Sequence, residues 1–474
     1  MERKFGILPY NSSRIGNGFL VATDFGSWCS LSEEEFYLLN HWKIKKGLYK
    51  KLEKNGILID KDNIGRVITE YRNLNRFLFQ GPSLHIIVPS LRCNQECIYC
   101  HAKPPDGETP DMDRETAIKV LNFVFQTESP AITIEFQGGE PLLAWDIVKF
   151  IVREAKRIND EYEKKDLRMT LVTNLTTMDM DKLDFLIKNR VSICASLDGP
   201  EEVHNANRKY LNGGKTYRDV VKWIEKIREE YRKLGVDMKL HALPTITRHS
   251  LPYWKEIIDE YVKQGFDTIH LKFLNRLGAA GENWGKIAYT PEEFIRFWER
   301  SMNHIIGLNR KGVKIVENMA RVMLTKILLK KDYGLTELMS PCGAGRTQLL
   351  YNYNGDIFTC DEGRMLGNEL FKLGNVNRNS YRDIMRSEKI IGICHSSILN
   401  NYCQGCVYKS YCGTCPVINF AEQGTLVPKI RETMRCKIYK AQFTYLFNRI
   451  TKDSKILEIF RGWVHEGKDK AKAA

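Results

Sequence analysis

"LRCNQECIYCHAK", residues 91–103, places three cysteines within eight positions, with the spacing C-x3-C-x2-C. Cys93, Cys97 and Cys100 are one ligand short of a tetrahedral zinc site, and an odd number of cysteines cannot all pair in disulfides. Three thiolates can instead hold a [4Fe–4S] cluster and leave one iron without a protein ligand. Zinc with His101 as the fourth ligand, and three buried structural cysteines, are the alternatives. The spacing alone leaves all three interpretations open.

Strand and helix patterns alternate along the middle of the chain, beginning with the apolar run before these cysteines. The predicted strands are residues 84–90, 132–139, 168–174, 192–198, 238–247 and 268–274. The segments between them have the periodicity of amphipathic helices, and this alternation predicts a parallel sheet with right-handed crossovers. Six units are too few for an eight-stranded barrel, so we predict an α/β fold with a partial (β/α)6 TIM barrel. Functional side chains of such a barrel lie at the carboxyl ends of its strands.

The segments on either side of the barrel have different patterns. Residues 1–80 predict a small N-terminal α+β module, in which residues 18–42 form two short strands and then a helix. Ser32 followed by Glu35 is the capping-box pattern that begins a helix. After the barrel, residues 276–340 predict a helical linker, because their apolar residues recur at helical spacing.

The composition narrows the class of protein. The chain of 474 residues has a formal net charge of +14, from 72 basic and 58 acidic residues, and the charges are scattered along amphipathic helices. A nucleic-acid partner is therefore not favoured. No uncharged apolar run reaches the roughly 18 residues of a membrane span, and the first residues lack the pattern of a signal peptide. We therefore expect a cytoplasmic protein with no membrane partner, in which the 13 cysteines favour metal ligation over disulfides.

Glycine and polar residues follow the second and third predicted strands. The stretch FQGGEP, residues 136–141, contains Gly138 and Gly139, which allow the backbone to approach a ligand closely. Glu140 in the same stretch can accept hydrogen bonds from an amine. Asn174, at the end of the third strand, can contact a sugar. An ordinary glycine turn and a turn asparagine are the alternatives.

The end of the fourth predicted strand carries a second polar motif, SLDGPEEVHNANR, residues 196–208. Ser196 and Asp198 can hydrogen-bond a polar ligand, and Arg208 can bind a carboxylate through two parallel hydrogen bonds. Tyr99, just before the third cysteine of the loop, can place an aromatic face beside the same ligand. Asp-Gly-Pro is also an ordinary turn sequence.

The order of these motifs resembles the radical S-adenosylmethionine (SAM) enzymes over about residues 84–275. The resemblance implies a radical SAM domain at 81–275 with a [4Fe–4S] cluster on the three cysteines, whose open iron binds the amino and carboxylate groups of SAM. It implies that SAM is cleaved to a 5′-deoxyadenosyl radical, which abstracts hydrogen. It also implies that the cofactor-binding residues include Gln137, Gly138, Gly139, Glu140, Pro141, Asn174, Ser196, Asp198 and Arg208.

A second group of cysteines lies in residues 341–440, ahead of a C-terminal helix and basic tail at 441–474. Its members are Cys342, Cys360, Cys403, Cys406, Cys412, Cys415 and Cys436. Paired CxxC motifs alone would suggest a zinc ribbon. Seven cysteines beside a radical SAM domain instead resemble the SPASM extension, which carries two auxiliary [4Fe–4S] clusters. That resemblance implies that one cluster is ligated by Cys403, Cys406, Cys412 and Cys436, and the other by Cys342, Cys360 and Cys415.

The sequence departs from the related sulfatase maturases at the three-cysteine auxiliary set. Gln348 stands where those enzymes have a further cysteine, so this cluster has an open iron or borrows another residue, of which Cys394 is the nearest spare thiol. Asp361 follows Cys360, and in the sulfatase maturases an aspartate at this position is the catalytic base for the substrate side chain. A surface or capping aspartate is the alternative.

Enzymes with this SPASM arrangement mostly modify peptides. The resemblance therefore implies a radical maturase of a ribosomally made peptide or small protein, which installs a crosslink, a thioether or an oxidised side chain and requires a low-potential electron donor. In length and motifs the chain most resembles the B-type radical maturase of the His-Xaa-Ser peptide system. A sulfatase maturase that makes formylglycine is the alternative enzyme, and an iron–sulfur scaffold or electron carrier is the non-enzyme alternative.

The N-terminal module resembles small winged-helix modules that bind leader peptides. Such modules add an extended peptide to a sheet edge, and the stretch GFLVATDF, residues 18–25, is predicted to supply that edge. The alternative is a module that only covers apolar surface. If the module binds the substrate, deletion of residues 1–78 should abolish modification but leave SAM cleavage intact.

Overall fold

The computed structural model describes residues 5–100, 102, 110–332, 334 and 336–473, without the side chains of 163 and 466–473. His101, the possible zinc ligand, lies outside the described residues. The strands are β1 Gly6–Ile7, β2 Tyr10–Ile15, β3 Gly18–Thr23, β4 Trp28–Ser32, β5 Leu58–Ile59, β6 Leu84–Ser90, β7 Ala131–Gly138, β8 Asp166–Thr173, β9 Val191–Ser196, β10 Leu240–Leu243, β11 Thr268–Ile269, β12 Val316–Glu317, β13 Gln348–Tyr351, β14 Asp356–Phe358 and β15 Lys372–Asn375.

Helices connect and cover these strands. They are α1 Glu33–Asn40, α2 Lys46–Lys54, α3 Ile64–Asn75, α4 Arg114–Phe125, α5 Trp145–Ile158, α6 Met180–Lys188, α7 Glu201–Asn207, α8 Tyr217–Lys233, α9 Trp254–Lys263, α10 Ala279–Glu282, α11 Trp284–Ile287, α12 Pro291–Arg310, α13 Asn318–Leu329, α14 Asp361–Leu366, α15 Tyr381–Met385, α16 Glu388–Ser396, α17 Asn401–Gln404, α18 Pro416–Gln423, α19 Met434–Lys452 and α20 Ser454–Ala473. No described helix is long and apolar enough to cross a membrane.

The central sheet is the predicted partial barrel. Strands β6 to β10 lie side by side in chain order, and each neighbouring pair is parallel. Helices α4, α5 and α6 form the crossovers between the first four of these strands, and α7 and α8 lie between β9 and β10. Parallel neighbours joined by helices bring the carboxyl ends of all the strands to one edge, where the predicted motifs lie. The α/β barrel prediction is therefore confirmed.

The sixth predicted strand, residues 268–274, is much shorter than expected. Only β11 is regular there, and it pairs with β12 in a separate two-stranded sheet. A single bridge between Thr245 and Lys272 connects this part of the chain to the segment after β10. The region predicted as a helical linker is helical in α10 to α13, and it also supplies the partner strand β12.

The cysteine-rich region extends the barrel sheet, which its sequence did not predict. Strand β13 pairs in parallel with β6, with Gln348 opposite Leu84, and β14 and β15 continue the sheet in antiparallel order. The strand that begins at Gln348 is therefore hydrogen-bonded to the strand that leads into the first cysteine loop. Such pairing fixes the two cysteine regions relative to each other, because ladder hydrogen bonds set the register of adjacent strands.

Residues 18–42 form two short strands, β3 and β4, and then helix α1, as predicted, and β2 precedes them to give a three-stranded antiparallel sheet in the order β2-β3-β4. The predicted helix start is confirmed, because Ser32 and Glu35 form both hydrogen bonds of a capping box. Strand β3 holds most of the stretch predicted as a sheet edge, yet it lies in the centre of the sheet. That prediction was wrong, because the polar stretch YNSSRI of β2 pairs with β3 on the side away from β4.

The module packs against the cysteine-rich region and helix α13. The Asn11 side chain donates to the carbonyl oxygen of Cys406 at 3.3 Å, and Trp28 Nε1 donates to that of Ile327 at 3.0 Å. Tyr411 donates its hydroxyl hydrogen to the carbonyl oxygen of Gly26 at 3.2 Å. Apolar side chains of β2 and β3 also join the main core of the protein.

Candidate active site and auxiliary cysteine sites

A cavity of about 200 Å³ opens at the carboxyl ends of strands β6 to β9. Most of the predicted cofactor-binding residues are in its wall. The lining residues are Cys93, Gln95, Cys97, Tyr99, Cys100, Ala102, Gln137, Gly138, Gly139, Val172, Thr173, Asn174, Ser196, Arg208, Arg364 and Met365. Three separately predicted motifs and one distant helix therefore share a single cavity.

The cysteine loop is held open by hydrogen bonds to the segment that follows α7. The Glu96 amide donates to the carbonyl oxygen of Lys209 at 2.8 Å, and the Ile98 amide donates to that of Asn207 at 3.0 Å. These bonds leave the thiols of the loop directed to the cavity. Burial raises the pKa of both Cys93 and Cys97 to about 12, so thiolates at these positions require a compensating cation such as iron.

The two glycines after β7 are required by close backbone contacts. A Cβ atom at Gly139 would overlap the carbonyl oxygens of Leu91 and Arg92, and Gly138 has a φ of +133°. The Gly139 amide donates to the carbonyl oxygen of Ser90 at 3.0 Å. The glycine pair therefore lies against the start of the cysteine loop, where any side chain would displace it.

Glu140 and Pro141 lie behind the cavity wall, which differs from the predicted direct contact with a ligand. The Glu140 carboxylate accepts hydrogen bonds from the amides of Leu142 at 3.0 Å and Asn174 at 2.7 Å, and from the Thr173 hydroxyl at 2.7 Å. Its side chain is fully buried, and Pro141 is buried as well. Glu140 therefore positions Asn174, which does line the cavity.

Asp198 is likewise fully buried and is not among the residues that line the cavity. Its Oδ2 accepts a hydrogen bond from the Tyr99 hydroxyl at 2.6 Å and lies 3.2 Å from Arg208 Nε. The Arg208 guanidinium lies 5.2 Å from the centre of the Tyr99 ring, and its Nη1 is 3.8 Å from Cys97 Sγ. Asp198 thus holds two lining side chains in place beside the cysteine loop. The cofactor contacts of the lining residues remain predictions.

The remaining predicted cysteines meet in the two groups that the SPASM resemblance implies. Burial raises the pKa of Cys412 above its ordinary value, and the nearby thiols of Cys403, Cys406 and Cys436 raise it further. Cys342, Cys360 and Cys415 belong to one buried apolar cluster, with Phe371 and Val417 among its other members. Among the described residues, no three or more His, Cys, Asp or Glu side chains are arranged so that they could hold a single metal ion.

Comparison with known families agrees with this geometry. The Radical SAM superfamily profile matches residues 87–238, and the profile of the SPASM iron-sulfur cluster-binding domain matches residues 342–416. The chain carries a radical SAM domain followed by a SPASM domain. It is therefore an enzyme that uses SAM and a [4Fe–4S] cluster, and its SPASM domain binds auxiliary iron–sulfur clusters.

Among curated proteins, the cysteine-type anaerobic sulfatase-maturating enzyme of Clostridium perfringens is 25% identical over 386 residues, which cover 78% of this chain and 97% of that enzyme. The solved structure of anSMEcpe with bound AdoMet matches with a TM-score of 0.66 and 21% identity, over 79% of this chain and all of that one. Streptococcus suis SuiB bound to the precursor peptide SuiA matches with a TM-score of 0.57 and 15% identity, over 90% of this chain and 98% of that one. At these identities the two structures establish the fold.

Helix α14 of the SPASM domain reaches the radical SAM cavity, which the sequence did not predict. Cys360 caps the start of α14, and its Sγ accepts from the Gly363 amide at 3.3 Å. Arg364 and Met365, one turn later, line the cavity. A single short helix therefore connects the first auxiliary cysteine group to the SAM site.

Asp361, the predicted catalytic base, is the first residue of α14. Its carboxylate lies 3.3 Å from Arg364 Nη2, and it also interacts electrostatically with Glu135 on β7. Burial raises the pKa of Asp361 above its ordinary value, while Arg364 opposes the increase. Asp361 is therefore close to the cavity without being part of its wall, and its catalytic role remains a prediction.

The spare thiol Cys394 makes another hydrogen bond, and so does Gln348, which stands where the sulfatase maturases have a further cysteine. Cys394 is buried in α16, where its Sγ donates to the carbonyl oxygen of Ala344 at 3.3 Å. Gln348 Oε1 accepts a hydrogen bond from the Thr336 hydroxyl at 3.2 Å. Cys394 nevertheless lies close enough to Cys342 to raise the pKa of that thiol, so a role as fourth ligand stays a prediction.

The cavity wall fits SAM in its polar chemistry. Gln95 Nε2 and Arg364 Nε are buried donors with no hydrogen-bond partner among the described residues. A buried donor without an acceptor costs roughly 1–3 kcal/mol, so this wall favours a ligand rich in acceptor atoms. The carboxylate and ribose hydroxyls of SAM have that chemistry, and the three partly buried thiols in the same wall suit the iron cluster.

Proposed function

We propose that the chain is a radical SAM maturase that modifies a side chain of a ribosomally made peptide or small protein. The observation that supports this proposal best is helix α14, which runs from the auxiliary ligand Cys360 to the cavity residues Arg364 and Met365. A substrate at this helix would be next to both the SAM site and an auxiliary cluster. Enzymes that oxidise a substrate after hydrogen abstraction need both within reach of one substrate.

Different residues of this chain have different roles in the proposed reaction. Cys93, Cys97 and Cys100 would hold the cluster at which SAM binds, and the bound cofactor would supply radical chemistry for hydrogen abstraction from the substrate. Arg208 would orient the cofactor, and the glycine pair would let the backbone approach it closely. Asp361 accepts a proton from the substrate side chain, since its burial favours proton uptake at a higher pH than an exposed aspartate allows.

The extent of the structural match supports a peptide maturase over a sulfatase maturase. SuiB, which was solved with its precursor peptide, covers 90% of this chain, whereas anSMEcpe covers 79%. Additional chain beyond the sulfatase maturase is thus matched in an enzyme that binds a precursor peptide. The sulfatase maturase remains the second candidate, because Asp361 is next to Cys360 as in that family. The resemblance to the His-Xaa-Ser maturases, an external low-potential electron donor and a cytoplasmic location are part of the same proposal.

Helix α3 of the N-terminal module offers an apolar stripe for the leader segment of such a peptide. Ile64, Ile68 and Tyr71 recur at helical spacing on one face and are each more than two-fifths exposed. Adjacent apolar side chains in water mark an interaction surface more often than isolated ones do. The neighbouring helix α2 is rich in lysine, which suits an acidic leader.

A point substitution tests this role better than deletion of residues 1–78. Deletion would expose the core, because Ile15, Leu20 and Ala22 of the module pack into it. We expect Ile68→Glu to weaken binding of the full precursor and leave SAM cleavage without peptide unchanged. Ile118→Glu is the matched control, since Ile118 has similar exposure on α4. Equal affinity of both variants for the precursor would remove the recognition role.

Mass spectrometry of reconstituted enzyme with candidate substrates tests the main proposal. A short precursor peptide encoded next to this chain should lose hydrogen atoms at one residue after incubation with SAM and reductant. A sulfatase-derived peptide should remain unmodified and acquire no aldehyde. Formylglycine in the sulfatase peptide, with no change in the precursor, would favour the second candidate.

A further inference from the structure

Two arginines line the SAM cavity, and they reach it from different parts of the sheet. Arg208 follows strand β9 and helix α7, whereas Arg364 lies on helix α14, which contacts β13 and β14. Strands β8, β7 and β6 lie between β9 and β13 in the sheet. The lining residues that the structure describes include no aspartate or glutamate. This wall therefore has two separate guanidinium groups and no carboxylate of its own.

The guanidinium of Arg364 is only partly satisfied by the protein. Its side chain is 7% exposed, and its Nη2 donates to Asp361 Oδ1 at 3.3 Å. Its Nε has no hydrogen-bond partner among the described residues. A guanidinium has five N–H donors in a fixed planar fork, and a buried donor without an acceptor is costly. The position of Arg364 therefore favours an acceptor on a bound molecule.

Helix α14 holds Arg364 beside an apolar neighbour in the same wall. The Arg364 amide donates to the carbonyl oxygen of Cys360 at 3.2 Å, and the Gly367 amide donates to that of Arg364 at 3.0 Å. The next residue, Met365, also lines the cavity. A cation beside apolar surface attracts an anion more strongly than a cation in water does, because the local dielectric is lower. A carboxylate at the end of a short aliphatic chain suits this pair of neighbours.

The cofactor already has a predicted partner for its single carboxylate. Arg208 is that partner, and its Nη1 lies 3.8 Å from Cys97 Sγ in the loop where the amino-acid part of SAM is predicted to bind. Arg364 is bonded instead to Asp361, the predicted base for the substrate side chain. A second carboxylate-binding group is therefore available to the other molecule that enters the cavity, which is the substrate.

We propose that Arg364 is a specificity-determining residue that binds a carboxylate of the substrate close to the carbon that loses hydrogen. The inference rests on the proposed function and adds the chemistry of the substrate at the same site. An aspartate or glutamate side chain and a C-terminal carboxylate share that chemistry. Arginine can form two parallel hydrogen bonds to a carboxylate, whereas an amide of the same shape has one acceptor oxygen.

Steady-state kinetics on the reconstituted full chain test the inference, with the precursor peptide encoded next to this chain as the probe. Each aspartate or glutamate of the peptide is replaced in turn by asparagine or glutamine, and one further peptide carries a C-terminal amide. We expect one of these peptides to lose about 10- to 100-fold in kcat/KM, mainly through KM, as for loss of a hydrogen bond to a charged group. The amidated peptide distinguishes a terminal carboxylate from a side chain.

Enzyme variants connect that peptide carboxylate to Arg364. In Arg364→Gln, the same peptide change should lower kcat/KM by less than about twofold, because its partner is already absent. Arg364→Lys keeps the charge without the planar fork, so it should recover part of the lost kcat/KM. Arg382→Gln is the matched control, since Arg382 is exposed on the short helix α15 of the same domain. The peptide change should keep its full effect in that control.

Three results would overturn the inference while the proposed function stands. The first is an ordinary kcat/KM for every altered peptide, and this result decides the question even if Arg364→Gln does not fold. The second is a peptide effect that is equally large in Arg364→Gln. The third is a defect of Arg364→Gln confined to the KM for SAM, which would assign the arginine to the cofactor. No modification of the unaltered precursor would instead overturn the proposed function, and this inference with it.

Discussion

The molecule contains two groups of three cysteines, and both are one thiolate short of a complete set of cluster ligands. Cys93, Cys97 and Cys100 lie within eight residues of sequence, beside an open cavity lined with polar groups. Cys342, Cys360 and Cys415 come from three distant segments, and they belong to a buried apolar cluster. The same donor set can therefore serve a cofactor in one place and electron transfer in the other, because the surroundings decide what reaches the open position.

The two groups also differ in how the fold holds them. Backbone hydrogen bonds to the segment after α7 fix the first loop, and the glycine pair of β7 lies against it. The second group depends on strand β13 joining the barrel sheet and on helix α14 starting at Cys360. Damage to the first group should therefore stop the reaction at its first step, and damage to the second should affect later steps.

The largest effect is expected for Cys97→Ala, which removes one of the three thiolates beside the cavity. A cluster with two ligands is not held, so reductive formation of 5′-deoxyadenosine from SAM should fall to background. Chromatography of anaerobic reactions with dithionite measures the yield of 5′-deoxyadenosine. Cys29→Ala is the control, since Cys29 is buried in the N-terminal module. Ordinary yield from Cys97→Ala would contradict the role of this loop.

The second-largest effect is expected for Asp361→Asn. Peptide modification should be about 10²–10⁴-fold slower in this variant if the carboxylate is the base. SAM cleavage should persist, because Asp361 does not line the SAM cavity. Asp146→Asn, a surface change on α5, should leave both rates unchanged.

The pH dependence gives Asp361 a second test. Burial raises its pKa, so the group should be protonated and inactive as a base up to a higher pH than an exposed aspartate. Peptide modification by the unmodified enzyme should therefore decrease as the pH falls through this raised pKa. The same acid limb in Asp361→Asn would show that another group controls it.

Removing the four-cysteine group should lower the iron content without stopping SAM cleavage. Three four-iron clusters predict about 12 irons per chain, or about 11 if one iron is lost at an open position. Cys403→Ala with Cys406→Ala should remove about four of them, as measured by iron analysis. Stoichiometric zinc in the unmodified protein would instead show that these cysteines form a different kind of site.

The smallest effect is expected for Cys394→Ala. This variant tests whether the group of Cys342, Cys360 and Cys415 lacks a fourth thiolate, as the group of Cys93, Cys97 and Cys100 does. The thiol of Cys394 is already hydrogen-bonded to the carbonyl oxygen of Ala344, so its removal should leave the iron content unchanged. Loss of about four irons would identify Cys394 as the fourth ligand and make the second group a complete one.

Much of the radical SAM site follows from short stretches of sequence. The cysteine spacing, the glycine pair and the residues after β9 can each be recognised from a few neighbouring residues. The parallel sheet then brings the strand ends that carry them to one edge. The contacts of Glu140 and Asp198 could not be predicted in this way. Both are in the right motif, but only the structure reveals that their oxygens are occupied by neighbours and do not face the cavity.

The sequence by itself determined the barrel and the order of the motifs, because both depend on periodicity or on short spacing, whereas the grouping of the distant auxiliary cysteines came from a family resemblance. The tertiary structure alone decided that α14 reaches the SAM cavity and that β3 is a central strand. These facts depend on which distant segments pack together. Local sequence does not encode a side chain's partners across the fold, since strand pairing and burial are settled only when the whole core forms.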